Sequence, residues 1–263
     1  MDRTRAALKQ AYHRILSDLP QHWFDRSRIC EAEFSALSGV FLQGVSEAYL
    51  EAPRRIMVVG RETRGWTHVS EQDPYLSLED YIERAMGKHQ RCLATFIRAK
   101  RDRGASYFNY LRELSTDHGP EGITWANLFA FDWNKKSPKD WPHFETLLCI
   151  SERLLKAQIQ ILAPDIIIFA NGATSAKYRA RYFPFTGENS VCNEFGYYKD
   201  QGIPSGHLWK FRLHESIQCY RIQHPSSTRK AARAARAFLR AELLGTAPVQ
   251  SLRAPLAALE PTT

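Results

Sequence analysis

Four short strand-like runs, separated by helical stretches, constrain the fold of this chain more than any other feature. They are Ile56–Val59, Ile123–Phe129, Ile166–Phe169 and Ser216–Ile222. Ile56-Met57-Val58-Val59 and Ile166-Ile167-Ile168-Phe169 are continuously apolar, the pattern of a strand covered on both faces. The segments between them carry apolar residues at helical spacing. Strand and helix alternating in this way imply an α/β fold, a parallel central sheet with helices on both faces.

The clearest helix covers residues 143–162, with Leu147, Leu148, Leu154, Leu155, Ile159 and Leu162 supplying its packing side before Ala163-Pro164-Asp165. Residues 5–19 place Leu8, Tyr12, Ile15, Leu16 and Leu19 on one face, and Pro20 stops the run. Residues 31–50 are expected to be helical as well, ending before Pro53. Residues 1–52 therefore read as an N-terminal helical extension, and residues 53–245 as the α/β domain. Within that domain, residues 77–114 read as helical with a break near Gly104, and Thr174–Tyr182 as a short helix. Residues 184–214 read as an irregular excursion with a hairpin around His207–Leu213. A basic helix is expected from Thr228 to Leu244, and residues 246–263 read as a loosely ordered tail.

At 263 residues and 44% hydrophobic, the chain can bury one substantial core. Its 36 Lys and Arg against 28 Asp and Glu give a formal charge of +8, which favours a polyanionic partner. No stretch approaches the roughly 20 apolar residues of a membrane span. The amino end runs into an amphipathic helix without the apolar core of a signal peptide. Cys30, Cys92, Cys149, Cys192 and Cys219 are scattered with no C-x-x-C pair, which argues against a disulfide framework, a structural zinc or an iron–sulfur cluster. A reduced, cytoplasmic protein with no metal is the expectation.

Ligands of a parallel α/β sheet bind beyond the carboxyl ends of its strands, so the residues there are the candidates. Glu62 follows the first strand in Gly60-Arg61-Glu62 and can activate water or stabilise a cationic sugar-like transition state. It can equally be a loop carboxylate paired with Arg61 or Arg64. Asn127 lies inside an apolar strand, where an amide is costly unless paired. It suits either reading the edge of a base or holding a neighbouring loop. His224, in Gln223-His224-Pro225-Ser226-Ser227, can donate a hydrogen bond to charge developing on a leaving group, or be structural. Ser226, Ser227 and Thr228 can cap the last helix or hold a phosphate. Arg229, Arg233, Arg236 and Arg240 form one stripe on that helix, either a solvated face or a nucleic-acid contact. Arg229 and Lys230 stand nearest the His224 loop. Trp66, Tyr75, Trp125 and Trp133 can stack on a base or belong to the core.

In order, strand-Gly60-Arg61-Glu62, strand-Asn127-Leu128-Phe129 and strand-Gln223-His224-Pro225-Ser226-Ser227 resemble the motifs of the uracil-DNA glycosylase superfamily. The run Leu162–Gly172 is similar to the strand before that family's last helical turn, and the resemblance covers residues 54–244. It implies a four-stranded parallel sheet in a three-layer sandwich, with Glu62 and His224 catalytic, Asn127 and an aromatic from the Trp66 region on the flipped base, and DNA as partner. Ser226, Ser227, Arg229, Lys230 and Arg233 would contact the DNA, and no cofactor is implied. Thr63-Arg64-Gly65-Trp66 stands where uracil-specific members usually place a proline and a residue guarding the base, and the acid is the longer glutamate. The implied substrate is therefore a bulky modified pyrimidine, such as glucosylated hydroxymethylcytosine in phage DNA, ahead of plain uracil. The competing expectations are a non-catalytic nucleic-acid-binding protein on the same scaffold and a hydrolase of free nucleosides or nucleotides.

Overall fold

The computed structural model describes residues 2–24, 32–70 and 73–246. They form an α/β protein that divides into two compact units, Met1–Pro164 and Asp165–Thr263. Cys30 and the expected tail beyond residue 246 lie outside the described residues.

The first unit contains α1 (Asp2–Leu16), α2 (Ala32–Ser35), α3 (Glu47–Glu51), β1 (Ile56–Gly60), α4 (Leu78–Arg98), α5 (Ser106–His118), β2 (Ile123–Asn127) and α6 (Phe144–Leu162). β1 and β2 are parallel, in a register that pairs Ile56 with Ile123 and Gly60 with Asn127. Both strands are buried along their whole length, β1 as an apolar run and β2 with Thr124 and Asn127 among its apolar residues. α1 packs on α6 and α4, burying Leu8, Tyr12, Ile15 and Leu16. Each such apolar side chain contributes about 1.5–3 kcal/mol. α1 thus belongs to the same compact unit as β1 and β2.

Residues 31–50 do not form the single helix expected of them. Only the short α2 and α3 are helical, and residues 37–45 between them are a buried extended segment. Its Val40-Phe41-Leu42 run is buried on all sides, which one face of a surface helix does not permit. Phe41 N–H donates to Ala130 O at 2.7 Å, and Ser38 N–H to Asp132 O at 2.9 Å. Gly44 is required by close approach: a Cβ there would stand 2.5 Å from the carbonyl oxygen of Met86 in α4. Its N–H donates to His89 Nδ1 at 3.2 Å, and His89 Nε2 lies 3.0 Å from Trp125 O. The buried His89 ring thereby ties the extended segment to β2. Burial lowers its pKa to about 4.

The second unit contains β3 (Ile166–Phe169), α7 (Ala176–Tyr182), β4 (Cys192–Tyr197), β5 (Leu208–Leu213), β6 (Ile217–Ile222) and α8 (Lys230–Leu243). β3 and β6 are parallel, whereas β5 pairs antiparallel with both β6 and β4. The region expected to be an irregular excursion with a hairpin around His207–Leu213 supplies two antiparallel strands, β5 where the hairpin was expected and β4 where none was. The strands of this unit are therefore mixed rather than purely parallel. Lys210, Tyr198 and Tyr220 all reach Glu242 of α8, which fixes that helix against the strands. On α7, Arg179 is 3% exposed and lies over the rings of Phe169, Phe185, Trp209 and Phe211. Among the described residues, no helix is long and apolar enough to cross a membrane.

Candidate functional site

The ends of β1 and β2 place Asn127, Glu62 and an unanticipated tyrosine in one neighbourhood. The parallel pairing continues past the strands, with Leu128 N–H donating to Gly60 O at 3.0 Å and Phe129 N–H to Arg61 O at 2.8 Å. Those bonds fix the backbone immediately before Glu62. A Cβ on Gly60 would lie 2.7 Å from Asn127 Oδ1 and 3.2 Å from the ring of Tyr107. The absence of that atom lets the amide and the ring close over the backbone. Tyr107 Oη donates to Val58 O at 2.9 Å, which sets the ring, and burial keeps its phenol well above the usual tyrosine range. Asn127 is 7% exposed, and its side-chain amide hydrogen-bonds none of the described residues. Two donors and one acceptor are left for a ligand.

Glu62 has a carboxylate that is 3% exposed and accepts from Arg61 Nε at 2.6 and 2.9 Å. Of its two expected partners, Arg61 is the one engaged. The pair keeps a desolvated negative charge beside Asn127's strand end, at the cost of occupying both carboxylate oxygens with one donor. Beyond it, the loop is latched to Asp132. Asp132 Oδ2 accepts from Thr63 Oγ1 at 2.9 Å, Gly65 N–H at 2.9 Å and Trp66 N–H at 3.3 Å. Asp132 is 1% exposed, so three donors converge on one buried oxygen. Gly65 has φ +74°, a conformation that costs a residue with a side chain, and it turns the loop into this arrangement.

Trp66 does not present its ring for stacking, contrary to expectation. It is buried, with Nε1 donating to Val40 O at 3.1 Å and its ring set against Phe41 and Trp125. Trp125 is likewise core. The ring that does flank Gly60 and Asn127 is Tyr107. It sits in a charged helical stretch that gave no strand-end signal. Asp132 was legible only as an acid closing the apolar run Leu128–Phe131.

In the second unit, His224 leaves β6 and meets Ser226. Ser226 N–H donates to His224 Nδ1 at 3.2 Å, and Ser226 Oγ lies 2.7 Å from the same nitrogen. Accepting from a backbone N–H requires a lone pair on Nδ1, so the neutral ring carries its proton on Nε2. His224 is thus set to donate from Nε2. Gly172, at φ +76°, turns beyond β3 against this loop, where a Cβ would lie 3.5 Å from the Cβ of His224. Next to it, Asn171 is 1% exposed, with neither side-chain oxygen nor nitrogen partnered among the described residues.

The serines do not cap the last helix. α8 starts with Arg229 in the cap position and no side-chain cap bond. Ser226 serves His224, and Ser227 O accepts from Arg236 Nη2 at 3.2 Å. Arg229, Lys230 and Arg233 are exposed at the start of α8. Arg236 and Arg240 are half-buried. The charge is also uneven along the chain, because residues 165–263 hold 13 Lys and Arg against 7 Asp and Glu, and residues 1–164 hold 23 against 21. Among the described residues, no group of three or more His, Cys, Asp or Glu is placed to hold a metal.

Asn127 and Tyr107 can hold a planar hydrogen-bonding ligand at Gly60, two residues before Glu62 and its partner Arg61, and the His224 loop can donate one hydrogen bond near the cationic start of α8. Compared with known proteins, the chain matches no family model and no curated protein.

Proposed function

We propose that this protein is a DNA glycosylase that hydrolyses the N-glycosidic bond of a flipped base. The observation that carries the reading is the Asn127 amide, closed over Gly60 beside Tyr107 with no protein partner among the described residues. A nearly buried amide at the end of a strand is free to pair with a ligand that replaces solvent there. The edge of a pyrimidine offers the matching donors and acceptors, and the Tyr107 ring offers a stacking face. The four-stranded parallel sheet of the glycosylases belongs to this reading, supported by the parallel pairs of β1 with β2 and of β3 with β6.

In the reaction, the bond between the sugar C1′ and the base nitrogen breaks, and its electron pair leaves with the base. Glu62, positioned by Arg61, stabilises the cationic sugar. His224 donates from Nε2 to the oxygen on which the leaving base gathers negative charge. Water adds to C1′, and its proton passes to solvent or to the departing base. Hydrolysis leaves an abasic site in an unbroken strand. Exposed Arg229, Lys230 and Arg233 contact phosphates, with Ser226 and Ser227 beside them, giving affinity independent of sequence and sensitive to salt. The reading requires the Glu62 and His224 side chains to act in the same reaction.

A modified pyrimidine is the substrate we favour over uracil. Thr63, Gly65 and Trp66 are drawn towards Asp132, and the Trp66 ring is withdrawn into the core, so no aromatic of this loop guards the base. The test is incubation with uracil-containing DNA and with phage DNA carrying glucosylated hydroxymethylcytosine, followed by quantitation of abasic sites. Abasic sites in the phage DNA alone support the proposal and a role in defence against phage. Sites in the uracil DNA alone restore base-excision repair. Tight DNA binding without base release on either overturns catalysis in favour of a binding protein.

A further inference from the structure

A polar depression lies in the first unit, between α4 and the loop that continues past Trp66. It is an open surface depression of about 510 Å³ lined by Thr67, His68, Asp73, Arg84, Lys88, Arg91 and Cys92. Arg84, Lys88 and Arg91 recur at i, i+4 and i+7, so α4 presents three cations on one face. Arg84 is already neutralised, with Asp73 Oδ1 at 2.7 Å and Asp80 at 3.0 Å. Lys88 and Arg91 make no ion pair among the described residues.

Both of these cations are positioned rather than loose. Lys88 Nζ donates to Thr67 O and stands 4.9 Å from the centre of the Trp66 ring, which leaves further N–H groups to donate. Arg91 folds back over its own helix at Gly87, where a Cβ would lie 3.2 Å from Arg91 Nη1. A glycine inside a helix costs about 1 kcal/mol relative to alanine, and here the missing Cβ leaves space for Arg91 Nη1. Burial lowers the pKa of Lys88 and raises that of Cys92.

We infer that this depression is a phosphate-binding site, with Lys88 and Arg91 as the two cationic contacts. A tetrahedral dianion or a phosphodiester supplies the missing negative charge and has acceptors for both side chains at once. Thr67 belongs to the same loop as Glu62, five residues on, so a strand held at this depression is held close in sequence to the proposed catalytic carboxylate. The phosphodiester form of the inference rests on the glycosylase reading; the phosphate chemistry does not. The two sources of such a group are a nucleic-acid backbone and free phosphate.

The experiment compares the full-length wild-type protein with Lys88→Gln/Arg91→Gln and with Gly87→Ala. The Gly87→Ala variant displaces Arg91 while favouring the helix, and so separates loss of the site from loss of fold. Melting is followed against inorganic phosphate, and binding of an undamaged duplex against salt. We expect a saturable rise in melting temperature for the wild type, lost in the double variant and diminished in Gly87→Ala. We also expect the slope of log affinity against log salt to fall by about one to two in the double variant. A phosphate response lost in the variants without any change in the DNA slope supports the site and assigns it to free phosphate. A phosphate response that is absent, or equal in all three proteins, overturns the inference. Neither readout involves base release, so failure of the glycosylase assay leaves this test standing.

Discussion

The side-chain oxygen of Asn127 occupies the space in which a Cβ on Gly60 would sit, 2.7 Å from that position. The two residues are register partners in β1 and β2, so this contact is built into the pairing of the strands. Gly60→Ala is therefore expected to displace the amide, the flexible partner, and to leave the fold in place. Stability should fall by about 1 kcal/mol or less, while base release is lost. Chemical denaturation alongside a single-turnover assay checks both halves. Unchanged base release would mean that Asn127 does not position the substrate.

Glu62→Gln keeps the shape of the side chain and removes its charge. We expect the single-turnover rate to fall by about a hundredfold or more, the scale of a lost charged catalytic group, with DNA affinity held within about threefold. Arg61→Met should act on the same step, since Arg61 Nε is the donor that fixes the carboxylate. A double variant no slower than the slower single one would show the pair acting as a unit.

His224 and Ser226 should behave unequally. His224→Ala removes the Nε2 donor, and a loss of about 100- to 1,000-fold in rate is expected. Ser226→Ala removes only the hydroxyl, because the backbone N–H that holds Nδ1 remains. Its effect should stay below about tenfold. Parallel rate measurements on the two variants decide whether the tautomer is set by the backbone or by the hydroxyl.

His89 makes stability depend on pH. Its pKa is lowered to about 4 in the folded protein, against about 6.5 in the unfolded chain. The unfolded state therefore binds the extra proton first, and stability is lost as pH falls from about 6.5 towards 4. The full loss is about 3 kcal/mol, because each tenfold difference in proton affinity between the two states is worth about 1.4 kcal/mol. Urea denaturation at about pH 7.5 and about pH 4.5 should show most of it. In His89→Gln this part of the dependence should vanish.

The runs Ile56–Val59, Ile123–Phe129 and Ile166–Phe169 and the helix of residues 143–162 were legible because each is long enough for one periodicity to dominate. β5 was legible only as a hairpin segment and β4 not at all, since Gly, Pro and Asn interrupt the region that holds them, and antiparallel pairing depends on contacts rather than on local pattern. Residues 31–50 misled for a related reason: an apolar run buried on every side lacks the period that tells strand from helix. For the candidate site, strand ends pointed to Glu62, Asn127 and His224. Tyr107 and Asp132 escaped because their roles depend on which backbone approaches them, and Trp66 was misplaced because an indole near a loop looks alike whether buried or displayed.

The latch on Asp132 has a consequence for how this segment can be moved between proteins. Thr63, Gly65 and Trp66 take their positions from a carboxylate that lies 66 or more residues away in sequence. Transplanting residues 60–66 alone into another α/β scaffold would carry the glutamate without its geometry. The portable module is discontinuous, and the acid after Phe131 has to travel with the loop.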